Sequence, residues 1–113
     1  MTAPHRTTPA GRPALMARRL VAALASHRIR VQMYGAMDGR ALVSVYPDLV
    51  VVCDGQLYQW WTGRESESGR PVMAYGHAAS VASTARRVMA RREELRRRWP
   101  VVASLGEDLS WVA

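Results

Sequence analysis

The sequence contains no lysine, no asparagine and no phenylalanine, and holds a single cysteine (Cys53) and a single isoleucine (Ile29). Each scarcity closes a class. One cysteine permits no intramolecular disulfide, and alongside three scattered histidines (His5, His27, His77) it offers no zinc spacing, so no metal is expected. No uncharged apolar run approaches the roughly 18 residues of a membrane span, Asp48 interrupting the best candidate, so no membrane insertion is expected. Residues 1–12 hold Pro, Thr, His and Arg but no apolar stretch of the kind a secretory signal carries, which makes the cytoplasm the expected location. Neither a glycine-rich phosphate loop, nor a paired-carboxylate motif, nor a Gly-x-Ser-x-Gly elbow occurs, so the expectation is no cofactor and no catalytic residue.

What is abundant is arginine. It supplies all 16 basic residues against nine acids, for a net charge of +7. Together with the plentiful Ala, Val and Gly, this is the residue usage of GC-rich codons and points to a high-GC bacterial genome, so part of the arginine excess reflects composition. The charge is unevenly placed. Residues 1–28 carry five Arg and no acid, residues 29–85 four Arg and five acids, residues 86–98 seven Arg against Glu93 and Glu94, and residues 99–113 only Glu107 and Asp108. Positive ends around a neutral middle favour an acidic partner. With 113 residues there is room for one domain, and a hydrophobic fraction of 49% is that of a globular chain.

The hydrophobic period changes along the chain. Residues 1–12 read as a flexible arm. From Pro13 to about Arg28 the spacing predicts a helix, with Met16, Ala17, Leu20, Val21, Ala23 and Leu24 in one arc. The period then becomes two, predicting strands over residues 29–34, 41–46, 49–53, 56–62 and 72–75, with turns at residues 35–39, Pro47-Asp48 and Asp54-Gly55 and a polar loop over residues 63–70. A last helix is expected over residues 78–99, with Val81, Ala85, Val88, Met89, Leu95 and Trp99 as its apolar stripe and Pro100 ending it. The expected fold is α+β: an antiparallel meander of four to five strands flanked by an N-terminal and a C-terminal helix. A single domain over residues 13–100 is followed by a tail, 101–113, available as an edge strand.

Two surfaces carry functional expectations. The strands LVVVC and YQWW are apolar on both faces, and successive side chains point to opposite sides of a sheet, so Trp60 and Trp61 cannot share one core. Either the helices cover opposite faces, or something outside the chain covers one. Tyr58, Trp60 and Trp61 are therefore candidate interface aromatics, weighed against a place in the core. On the last helix, Arg86, Arg87, Arg91, Arg97 and Arg98 are candidate contacts to phosphate or to an acidic protein. The alternative there is a solvated face with Glu93–Arg97 and Glu94–Arg98 ion pairs at i, i+4. Cys53 beside Asp54, and His77, are the residues an enzyme would have to use. A structural cysteine and a surface histidine at the start of the last helix are the favoured readings.

The stretch LYQWWTGRESESGRPVMAY, followed by the Ala-rich AASVASTARRV, resembles small uncharacterised actinobacterial proteins with a Trp-rich strand before an Ala/Arg-rich helix. The likeness covers about two-thirds of the chain and implies no activity. The helix–meander–helix order is also similar to the type III secretion chaperone-like fold, which implies protein partners and dimerisation. The double-stranded-RNA-binding domain shares an α-β-β-β-α order, but GHAASVAST, where the last helix begins, lacks any arginine. The reading is a non-catalytic protein-interaction or regulatory module, with a protein partner or a homodimer expected. The alternative is a small basic nucleic-acid-binding protein using the arginine face of its C-terminal helix.

Overall fold

The computed structural model describes residues 11–36 and 38–98. The two-residue period becomes a five-stranded antiparallel sheet of β1 (Gln32–Gly35), β2 (Ala41–Tyr46), β3 (Leu49–Cys53), β4 (Leu57–Glu65) and β5 (Pro71–His77), in sequential order across the sheet. It is preceded by α1 (Gly11–Ala25) and followed by α2 (Val81–Arg98), so the chain is the expected α+β meander between two helices.

The apolar arc of α1 buries Ala14, Met16, Ala17, Leu20 and Leu24. Its end is fixed by hydrogen bonds rather than by charge. Ile29 N–H donates to the Leu24 carbonyl (3.0 Å) and Arg28 N–H to that of Ala25 (2.9 Å), while Arg28 itself sits at φ 64°. This is the Schellman pattern, in which the left-handed residue ends the helix and the next apolar side chain, here buried Ile29, packs back on it. It also explains why Ile29 and Val31 do not form the expected first strand, which begins at Gln32.

Residues directly opposite one another on paired strands share a face. One row, Gly35–Ala41–Cys53–Tyr58–Gly76, crosses all five strands, and Met33–Val43–Val51 runs beside it. Ala41, Val43, Val51, Cys53 and Tyr58 on these rows are fully buried. Both helices cover this side: α1 packs on β1, β2 and β3, α2 packs on β5, and the helices pack on each other. Two helices in mutual contact cannot lie on opposite faces of a sheet, so the helices do not cover opposite faces but share one side.

Two irregularities adjust this pattern. Ser44 pairs with Val50 but Tyr46 with Leu49, so a bulge turns Tyr46 toward the helices, where Arg92 lies 5.8 Å over its ring. On β5, Gly76 lies under Thr84 of α2, and a Cβ there would collide with the threonine side chain. Gly76 is thus a strand residue that lets the helix approach.

Several boundaries differ from expectation. α1 starts at Gly11, inside the expected arm, and α2 starts at Val81 rather than near residue 78. The expected polar loop is shorter than expected: its first three residues extend β4 to Glu65 and β5 starts at Pro71, leaving residues 66–70 as a tip closed by Ser66 N–H on the Arg70 carbonyl at 2.8 Å. Trp99, Pro100 and the tail lie outside the described residues, as does most of the N-terminal arm. No helix among the described residues is long and apolar enough to cross a membrane.

Candidate functional site

The sheet has a second face, and no described residue covers it. The row Tyr34–Leu42–Val52–Gln59–Tyr75 crosses all five strands, flanked by Gln32–Ser44–Val50, by Trp61–Met73 and by Leu57–His77. None of these positions holds Arg, Asp or Glu. Val50 is 41% exposed, Tyr34 42% and Tyr75 50%, high values for large apolar side chains. The surface is largely apolar because β3 and β4 carry hydrophobic residues at consecutive positions.

A second feature lies on the helix side, between α2 and the outer part of the β4–β5 hairpin. It is a cavity of about 510 Å³ lined by Trp60, Thr62, Gly63, Arg64, Ala74, Arg87, Ala90, Arg91, Glu94 and Arg98. Local backbone geometry makes the room. Between Trp61 and Glu65 the β4–β5 register breaks, and Gly63 takes φ +89°. Thr62 Oγ1 donates to the Val72 carbonyl (2.7 Å) and accepts from Arg64 N–H (3.2 Å), while Trp61 Nε1 donates to the Arg64 carbonyl (3.0 Å). A Cβ at Gly63 would fall on the Arg91 guanidinium, so only glycine leaves that group its place.

The cavity gathers four guanidinium groups against one carboxylate. Arg87 Nη1 donates to the Tyr75 carbonyl on the edge strand (2.6 Å), and its guanidinium lies 5.0 Å from the centre of the Trp60 ring. The Arg91 side chain is nine-tenths buried; its Nη1 reaches Glu94 Oε1 at 3.1 Å, and its buried Nε has no partner among the described residues. Arg98, about two helical turns beyond Arg91, is the exposed arginine at the C-terminal end of the lining.

The expected site residues therefore separate. Arg87, Arg91 and Arg98 come together around the cavity, while Arg86 and Arg97 lie exposed outside it. The expected i, i+4 pairs do not form: Glu94 pairs with Arg91, and Glu93 with Arg96 (3.1 Å) and Arg92 (3.7 Å). Helix neighbours at i, i+3 are equally within reach, and Arg91 is already held inward by its packing. Of the three candidate interface aromatics, Tyr58 and Trp60 are 0% and 3% exposed and belong to the core side, so Trp61 alone lies on the uncovered face. Arg64, Gly63 and Thr62 escaped the sequence reading. The signal was there, since an isolated glycine within WWTGR marks a break in a strand.

The residues an enzyme would need are not brought together. Cys53 is buried on the helix side, its thiol pushed up to about 12 by burial and then by the Asp54 carboxylate. His77 ends β5, exposed on the opposite face rather than opening the last helix. Asp54 is a turn residue: its carboxylate accepts from the N–H groups of Gln56 and Leu57 (both 2.8 Å), which holds it below the usual carboxylate range. No trio of metal-ligating side chains occurs among the described residues. No protein family, no curated protein and no solved structure matches the chain.

Proposed function

We propose that this chain is a non-catalytic interaction module that pairs with a second copy of itself through the uncovered sheet face. The observation that carries the reading is the row Tyr34–Leu42–Val52–Gln59–Tyr75, uncharged and apolar at every position but Gln59. Its lack of charge argues for a self-complementary partner. Two copies of a chain carrying +7 repel one another across most of their surface, and these rows, which hold no Arg and meet a carboxylate at Gln59, where Asp54 accepts its amide N–H at 3.2 Å, are where they can meet without pairing positive charges. Size is adequate as well. Five strands about 4.8 Å apart and about 20 Å long present roughly 500 Å² per copy, or roughly 1,000 Å² for a pair, the lower bound for a specific interface. Two such sheets pack face to face as in a sandwich, about 10 Å apart.

Light scattering on the full chain at micromolar concentration tests the reading. The expected mass is twice 12.6 kDa, falling to a single chain in Val50→Arg and in Tyr75→Arg, with the circular dichroism unchanged because both side chains are already partly exposed. A wild-type monomer, or a dimer that both variants leave intact, overturns it.

A second reading has its own observation. Arg86 and Arg97 are exposed on α2 with no acid within ion-pairing distance among the described residues, as duplex or single-stranded nucleic acid binding requires. It predicts affinity for labelled DNA or RNA that falls steeply with salt, by roughly one log–log slope unit per phosphate contacted, and is lost in Arg86→Ala/Arg97→Ala.

A further inference from the structure

The cavity on the helix side is not used by the dimer reading, and the whole sheet separates it from the uncovered face. Four arginines and one glutamate line it, and charges of one sign gathered at that density repel unless an anion sits among them. Arg91 sharpens the point. A guanidinium is costly to desolvate, yet its side chain is nine-tenths buried, and its Nε is a buried donor without a partner among the described residues. To hold it there the fold uses a glycine at φ +89° within a strand, where any other residue would displace the guanidinium.

We infer that this cavity is a binding site for a small phosphorylated molecule, its phosphate held by Arg64, Arg87, Arg91 and Arg98. The excess of three guanidinium groups over carboxylate suits a group carrying two or more negative charges, and the planar fork of arginine binds phosphate oxygens in pairs. About 510 Å³ falls in the range of small-ligand sites and is far more than a phosphate group alone fills. The organic part lies against Trp60, Ala74 and Ala90, the apolar portion of the lining. Arg86 and Arg97, the exposed arginines suited to tracking a nucleic-acid backbone, lie outside this lining.

Isothermal titration of the full chain at about 0.1 M salt, with AMP, inorganic phosphate, pyrophosphate and adenosine as probes, tests the site. AMP is a phosphomonoester with an organic part of suitable size, and adenosine is its uncharged control. AMP is expected to bind and adenosine not. Arg91→Gln and Arg98→Ala are each expected to weaken AMP by about tenfold or more, as loss of a charge-assisted hydrogen bond does. Arg98 is exposed, so its variant folds even if Arg91→Gln does not. Arg86→Ala and Arg97→Ala, outside the cavity, are expected to change the affinity less than twofold. Three results overturn the site: no heat from any phosphate at millimolar concentration, equal losses in all four variants, or a duplex oligonucleotide that binds where AMP does not. The Val50→Arg variant keeps this lining intact, so the site and the dimer fail or stand separately.

Discussion

The hydroxyl of Tyr58 on β4 donates a hydrogen bond to the main-chain carbonyl of Met16 on α1, at 2.8 Å and across 42 positions of sequence. It is a buried polar link between sheet and first helix, and burial pushes the phenol up to about 12. Tyr58→Phe keeps the ring in place and removes the donor. The expected loss is about 1–2 kcal/mol, the cost of leaving a buried acceptor short of a partner. Urea unfolding at pH 7 measures it, and an unchanged midpoint would mean that the hydroxyl contributes nothing to docking α1.

Gly76 and Thr84 form a second close contact, between β5 and α2. Gly76→Ala is expected to cost about 1–3 kcal/mol, because the new methyl group overlaps Thr84 and must push the helix outward. Thr84→Ala removes that obstacle together with a buried hydroxyl that has no partner among the described residues, so on its own it is expected to cost less. The double variant is then more stable than the sum of the two single changes predicts, by about 1 kcal/mol or more. Strict additivity would show that the two residues do not meet.

These two contacts also mark the limit of what the sequence reveals. Alternation along QLYQWWT is enough to put Trp60 and Trp61 on opposite faces, and the Asp-Gly and Pro-Asp pairs locate the turns, because both signals depend only on near neighbours. Which tryptophan faces the helices does not follow from alternation. It depends on where α1 and α2 settle, and both settled on the side of Tyr58 and Trp60. The cavity was harder still. Arg87, Arg91 and Arg98 fall at helical spacing, but Arg64 joins them only because the β4–β5 register slips after Trp61, bringing Gly63 beneath Arg91. A polar string such as GRESESGR gives no sign that its first residues extend a strand, since the pairing that extends it comes from β5.

Cys53 offers a test of the core that needs no substitution. Its thiol lies on the central row of the helix side, fully buried and pushed up to about 12. At pH 8 roughly one thiol in ten thousand is then ionised, against roughly one in ten for a solvated cysteine with the ordinary value of 9.0. Native protein is therefore expected to react with a thiol reagent hundreds of times more slowly than protein in denaturant, at a rate set by opening of the fold. The sign for stability follows from the direction of the shift. Burial raises the values of both Cys53 and Tyr58, so their protonated forms are favoured in the folded state. Their contribution is present in full below about pH 9 and is lost as the pH climbs toward about 12, first from the cysteine and then from the tyrosine. Urea midpoints measured at pH 8 and pH 10.5 should fall with pH, and the fall should shrink in Cys53→Ala. A thiol that titrates within seconds in native buffer at pH 8 would contradict the burial of the row Ala41–Cys53–Tyr58, and with it the packing of both helices on that side of the sheet.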